Sequence, residues 1–149
     1  MIEQWSVFWA AVDAGDAETA RQQALAGAGM AVNRAGDTGL IRAAKLGRTR
    51  CVHALLDASD ANAVGKDGRT ALMAAANGGR REIIEVLLSQ TDASLFLVDH
   101  AGESAQEIAE RGGRWGCSNL LRAKMEAFSL EEASKIPEES GGKRKGIRI

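Results

Sequence analysis

Proline and aromatic residues are nearly missing from this chain. There is one proline, Pro137, no tyrosine, and aromatics make up 4% of 149 residues. Sheet proteins lean on β-branched and aromatic side chains, so this scarcity argues against a β-sandwich or barrel. With proline gone, the 17 glycines are left to end the helices. Only two histidines occur, His53 and His100, and they do not stand at ligand spacing. C-x-x-C, H-E-x-x-H, the phosphate loop G-x-x-x-x-G-K-[ST] and the nucleophile elbow G-x-S-x-G are all missing. No metal, cofactor or catalytic constellation is expected, and the chain reads as a non-enzyme. No apolar run approaches the length of a membrane span. Asp13 and Asp16 interrupt the one apolar stretch near the N-terminus, so no signal peptide is expected. Net charge is −1, which gives the chain as a whole no nucleic-acid signature.

What is present is alanine, glycine and repetition. Lys66–Leu88 reads as a glycine turn at Asp67-Gly68, a short apolar helix opened by Thr70, a stop at Gly78-Gly79, and a second helix with Ile83, Ile84, Val86, Leu87 and Leu88 on its apolar face. Neither helix is long enough to hold alone in water. Copies of the pair supply the missing partner surface. Gly36, Thr38, Leu40, Ala43-Ala44, Gly47 and Leu55-Leu56 precede Gly68, Thr70, Leu72, Ala75-Ala76, Gly79 and Leu87-Leu88 by 32. Gly102, Ser104, Ala109, Gly113 and Leu120-Leu121 follow at an offset of 34. A truncated copy precedes them, with Trp5–Ala14 in place of the first helix and Gly15 at the stop.

These residues resemble the ankyrin-repeat family, whose units of about 33 residues carry a T-P-L-H-x-A signature. The signature stands here as Thr38-Gly39-Leu40-Ile41-Arg42-Ala43 and Thr70-Ala71-Leu72-Met73-Ala74-Ala75, and weakens to Ser104-Ala105-Gln106-Glu107-Ile108-Ala109. The resemblance implies an all-α solenoid of stacked helix-turn-helix units with β-turn connections. The repeats fall at about 1–32, 33–64, 65–98 and 99–128, and the first and last serve as caps. The family's proline is replaced by Gly39, Ala71 and Ala105, which removes a preorganised first helical residue. Its histidine is replaced by Ile41, Met73 and Glu107, so a polar tie between repeats is expected to be lost. Cys51 and Cys117 share one register position two repeats apart, too far for a bridge. Two unbridged thiols point to a reducing compartment inside the cell, cytoplasm or nucleus.

Several segments carry two readings. Trp5, Phe8, Trp9 and Val12 form one helical stripe, which seals the open end of the stack or offers a peptide surface. The terminal position favours the seal. Leu95-Phe96-Leu97 packs under the following turn or stands as a patch. Trp115 is a contact residue or packs on Met125 and Phe128. His53 sits on a solvated face, and Cys51 reads as a small buried hydrophobe. Residues 129–149 are acidic, then basic at Lys143-Arg144-Lys145 and Arg148, and are expected to be a disordered tail. An alternative function follows from that tail, namely nuclear import or nucleic-acid binding.

In the ankyrin family, turn residues and the exposed positions of the first helix carry the contacts. The resemblance therefore implies a protein-binding surface at Arg34, Asp37, Lys45 and Leu46, then Lys66, Asp67, Arg69 and Asn77, then His100, Glu103 and Arg111. Five are Lys or Arg and three are Asp or Glu. The expected partner is an unidentified protein with an acidic or mixed-charge segment, bound by a monomer.

Overall fold

A computed structural model describes residues 5–90 and 93–134. Among these residues eight helices follow in order: α1 (Ser6–Ala14), α2 (Ala17–Leu25), α3 (Gly39–Leu46), α4 (Thr49–Leu55), α5 (Ala71–Gly78), α6 (Arg81–Gln90), α7 (Ala105–Arg111) and α8 (Trp115–Ser134). Short 3-10 segments cover Ala28–Met30, Leu56–Ala58 and Ala93–Phe96. Among the described residues there is no sheet. Isolated bridges Val32–Thr38 and Val98–Ser104 close two of the turns.

The inner helices start where a hydroxyl can take an orphan N–H. Thr38, Thr70 and Ser104 accept from the amides of Ile41, Met73 and Glu107 at 3.2, 3.3 and 3.3 Å. Glu107 answers by accepting from the Ser104 amide at 2.9 Å, which completes a capping box. The helices stop at Gly15, Gly47 and Gly79, whose φ values of 81°, 77° and 70° suit glycine alone without strain.

Inner helices α1, α3, α5 and α7 pack side by side, and outer helices α2, α4 and α6 back them. Alanine makes this spacing possible. Ala43, Ala44, Ala75, Ala76 and Ala109 are fully buried between neighbours, and a longer side chain there would hold the helices apart. Helix α5 is enclosed most completely, every residue from Ala71 to Ala76 being buried. Leu40, Leu72, Leu55 and Leu87 fill the seam between the inner and outer rows.

The first helix is held by its aromatics. Phe8 is fully buried and meets Trp9 edge-on at 5.0 Å. Its ring lies against Gly39, where an added Cβ would stand 2.7 Å from Cε2 and closer still to Cζ. Gly39 in the family's proline position therefore makes room for Phe8. Ile41 and Met73, in the histidine position, are buried in the core at 2% and 0% exposure. The polar ties between repeats are present, but they run through other residues, described below.

At the far end the core pattern changes sign. Leu40 and Val52, or Leu72 and Ile84, are buried pairs in the middle repeats. Their equivalents are Gln106 and Ser118, joined by a hydrogen bond of 3.1 Å. Where the middle repeats carry Ala44 with Leu56 and Ala76 with Leu88, the last carries Glu110 and Arg122, paired at 3.0 Å. Polar groups on the last face are what a terminal unit needs. Leu95 is buried, while Phe96 and Leu97 stay 47% and 40% exposed, and Phe96 packs on Phe128 at 5.5 Å. Trp115 does not join that cluster and is 59% exposed. Helix α8 runs to Ser134, so the expected tail beginning at 129 is helical for its first turn and a half. Residues 135–149, with Lys143-Arg144-Lys145 and Arg148, lie outside the described residues.

Candidate functional site

Three equivalent turns, Asn33–Thr38, Gly65–Thr70 and Asp99–Ser104, project from the starts of α3, α5 and α7. Asn33 Oδ1 accepts from the amides of Ala35 and Asp37 at 2.9 and 3.0 Å. Asp99 Oδ1 does the same for Ala101 and Glu103, both at 2.9 Å. The middle turn opens on Gly65, which has no side chain, and Asp67 Oδ1 takes the Arg69 amide at 3.1 Å instead.

Each turn leans on the one before. The Lys66 stem crosses Gly36, where an added Cβ would meet Cγ at 2.5 Å, and its Nζ donates to the Arg34 carbonyl at 3.1 Å. His100 repeats the arrangement: its ring covers Gly68 and its amide donates to the Asp67 carbonyl at 3.0 Å. Lys66 and His100 thus clamp the turns together while their outer edges remain exposed.

The charged residues of the turns are largely spent on one another. Lys45 Nζ binds Asp37 at 2.9 Å, and Arg111 binds Glu103 at 2.7 Å. The middle repeat has Asn77 where the others have Lys45 and Arg111, so Arg69 turns away and reaches Asp99 of the next repeat at 3.1 Å. Arg42 joins Asp13 across the first interface at 2.9 Å. Asp37 is 4% exposed, so the expectation that it stands free on the contact surface is corrected. Its place between Lys45 and the next turn at Gly65 buries it. Lys45, Arg69 and Arg111 each carry a carboxylate, and among the expected residues Arg34 and Lys66 make no ion pair with a carboxylate of the described residues. The Glu103 amide, more than Arg69, holds the buried Asp99 carboxyl below its usual range against the opposing effect of burial.

Five members of the expected set line two clefts between the turns and inner helices. Lys45, Asp67, Arg69 and Asn77 surround a cleft of about 270 Å³ together with Ala74 and Gly78. One repeat earlier, Arg34 borders an equivalent cleft of about 340 Å³ with Trp9, Asp13, Asn33, Ala35 and Arg42. Leu46 is half-buried at the end of α3. His100, Glu103 and Arg111 belong to the last turn and α7, outside both clefts. Trp9 stood in the stripe read from the sequence as a seal or a peptide surface, whereas Asp13 escaped the sequence reading because the first repeat has no Gly-x-Thr turn to set its register, and Arg42 escaped with it. Arg48, Arg80 and Arg114 escaped it too, although each follows a helix-stop glycine at the same register. They cover the preceding stops: Arg48 donates to the Asp13 carbonyl at 2.6 Å, Arg80 lies over Gly47, and Arg114 reaches the Asn77 carbonyl at 3.4 Å.

Cys51 and Cys117 are free, buried thiols, and burial pushes both above the ordinary thiol range. Among the described residues no group of three or more His, Cys, Asp or Glu side chains could hold a metal ion, and no helix is long and apolar enough to cross a membrane. No curated protein matches the chain. A family model described as ankyrin repeats, in three copies, matches residues 7–113. That span covers more than half of the sequence and includes α1 to α7, with their turns, caps and alanine-packed interfaces. The chain belongs to the ankyrin-repeat family.

Proposed function

We propose that this chain is a non-catalytic binding module that holds a segment of another protein along the groove of turns and inner helices. Ankyrin repeats generally mediate protein–protein interaction and are typically non-catalytic. The observation that carries the reading is the pair of equivalent clefts, one repeat apart, on the same face. Neutralised charges in both clefts change the expected partner chemistry. With Lys45, Arg69 and Arg42 already paired, selection rests on shape, hydrogen bonds and the half-buried Trp9 together with the charge of Arg34. Tryptophan is among the residue types that most often anchor an interface.

The test uses affinity capture from the native cell with the full chain. Arg34→Glu combined with Asn77→Glu alters exposed groove positions, and His53→Asn on the outer face serves as control. Captured proteins should disappear with the groove variant and persist with the control, in salt low enough not to screen the change. Retention of the same proteins by a folded groove variant would defeat the assignment.

A further inference from the structure

A second surface lies on the opposite edge, where each inner helix turns into its outer helix. Three columns of residues recur there through the last three repeats. The first is Arg48, Arg80 and Arg114, the second is Thr49, Arg81 and Trp115, and the third is Arg50, Glu82 and Gly116. Eight of these nine positions are exposed, and Thr49 is half-buried. Five carry arginine and one carries an acid. Arg48 and Arg114 spend one edge of the guanidinium on a carbonyl, and a five-donor fork keeps the other edge free. Among the described residues Arg81 pairs loosely with Glu85 at 3.6 Å, with both side chains more than half exposed. A cleft of about 270 Å³ opens between the second and third corners, lined in part by Arg80, Arg81 and Thr49. Trp115 closes the row at 59% exposure. Arg81 lies beside Gly116, with Nη1 3.9 Å from where a Cβ would stand, so the indole and the guanidinium share one patch.

We propose that this edge docks an extended acidic peptide segment of a partner protein, with carboxylates on the arginine row and an apolar side chain on Trp115. Spacing favours that occupant. Packed helices repeat at about 8–10 Å, and a peptide in the extended polyproline-II form rises about 3.1 Å per residue with three residues per turn, which sets every third side chain on one face about 9 Å apart. Acidic side chains at every third position therefore meet successive arginines. Arg and Trp are also the residue types enriched in interface cores. The net charge of −1 gives no long-range pull on a long polyanion such as a nucleic acid. The row ends at the first repeat, where Asp16 and Glu18 take the equivalent corner, so the segment spans three repeats, about ten residues. This surface is separate from the groove, and either can fail without the other.

Fluorescence anisotropy with the full chain tests it. The probes are a labelled peptide of about ten residues with glutamate at every third position and a terminal leucine, a peptide of the same composition with its glutamates clustered, and a single-stranded DNA of similar length. The spaced peptide should bind more tightly than the other two, and high salt should weaken it. Arg80→Gln and Arg81→Gln should each lower affinity about threefold, and together about tenfold. Trp115→Ser should weaken the leucine-ended peptide and leave one ending in serine unchanged. Arg34→Glu in the groove should change nothing. Because Arg80 also packs on Gly47, thermal melts accompany each variant, and Arg81→Gln and Trp115→Ser carry the result if Arg80→Gln unfolds. Equal binding of spaced and clustered peptides, tighter binding of DNA, or self-association lost on Arg81→Gln without peptide binding would each overturn the proposal.

Discussion

Replacing Gly39 by alanine sets two effects of opposite sign against each other. Helix propensity alone favours alanine over glycine by up to about 1 kcal/mol. Gly39 is the first residue of α3 and has no positive φ, so no backbone requirement protects the glycine. Packing argues the other way. The new methyl would stand 2.7 Å from Phe8 Cε2, closer to Cζ, and 3.4 Å from Cε1. The ring has little room to retreat, since Phe8 is fully buried and braced against Trp9. Forcing a methyl into such a site costs about 1–3 kcal/mol. The packing term is the larger, so the variant should lose about 1–2 kcal/mol net and melt several degrees lower. Urea denaturation followed by circular dichroism measures it. Phe8→Leu supplies the second corner of a cycle. The double variant should be more stable than the two losses added together, by at least about 0.5 kcal/mol. A Gly39→Ala protein as stable as wild type or more so would refute the reasoning, and would mean that α1 does not sit on α3 as described. Proline, the family residue, should be tolerated no better here.

Three other outcomes are expected. Leu72→Ala and Leu87→Ala, at 1% and 3% exposure, should each cost about 2–5 kcal/mol in urea melts. A loss below about 1 kcal/mol would place them outside the core. Asp99→Asn should keep the turn, because Asn33 makes the same two bonds in the second repeat, but should lose the Arg69 pair. Since the folded Asp99 carboxyl lies below its unfolded value, its contribution is full above the ordinary aspartate range and fades as pH falls through the folded pKa. The gap between wild type and variant should therefore be widest near neutrality and close in acid, as stability measured against pH would show. Cys51 and Cys117 should react slowly with a thiol reagent in the native protein at mildly alkaline pH and rapidly in denaturant. Both are buried, and burial raises both thiols.

Most of the fold was legible in the sequence because its determinants are local and recur. Thr38, Thr70 and Ser104 are N-caps because a hydroxyl before a helical run accepts an amide proton wherever the run occurs. Gly47 and Gly79 are stops because only glycine takes the left-handed turn freely. Leu40, Leu72, Leu55 and Leu87 are core because the same spacing appears in neighbouring copies, and short paired helices need a partner surface.

Contacts between repeats escaped the sequence, because register says which residues are equivalent but not which way a side chain turns. Asp37, Arg69 and Glu103 share one position, yet Asp37 and Glu103 bind within their own repeat while Arg69 crosses to Asp99. Asn77 decides that difference, and its effect appears only when α5 and the next turn are set side by side. The ion pairs of the groove were hidden for the same reason: a formal count cannot show that Lys45, Arg69 and Arg111 already hold carboxylates. Gly39 reads as a lost proline in the sequence, and only the stacked helices set Phe8 against it. The sequence alone determined the repeating unit and the all-α ankyrin fold, through local propensity and periodic burial. Tertiary structure alone decided which charges remain free for a partner, because pairing depends on distances that only the stacked repeats set.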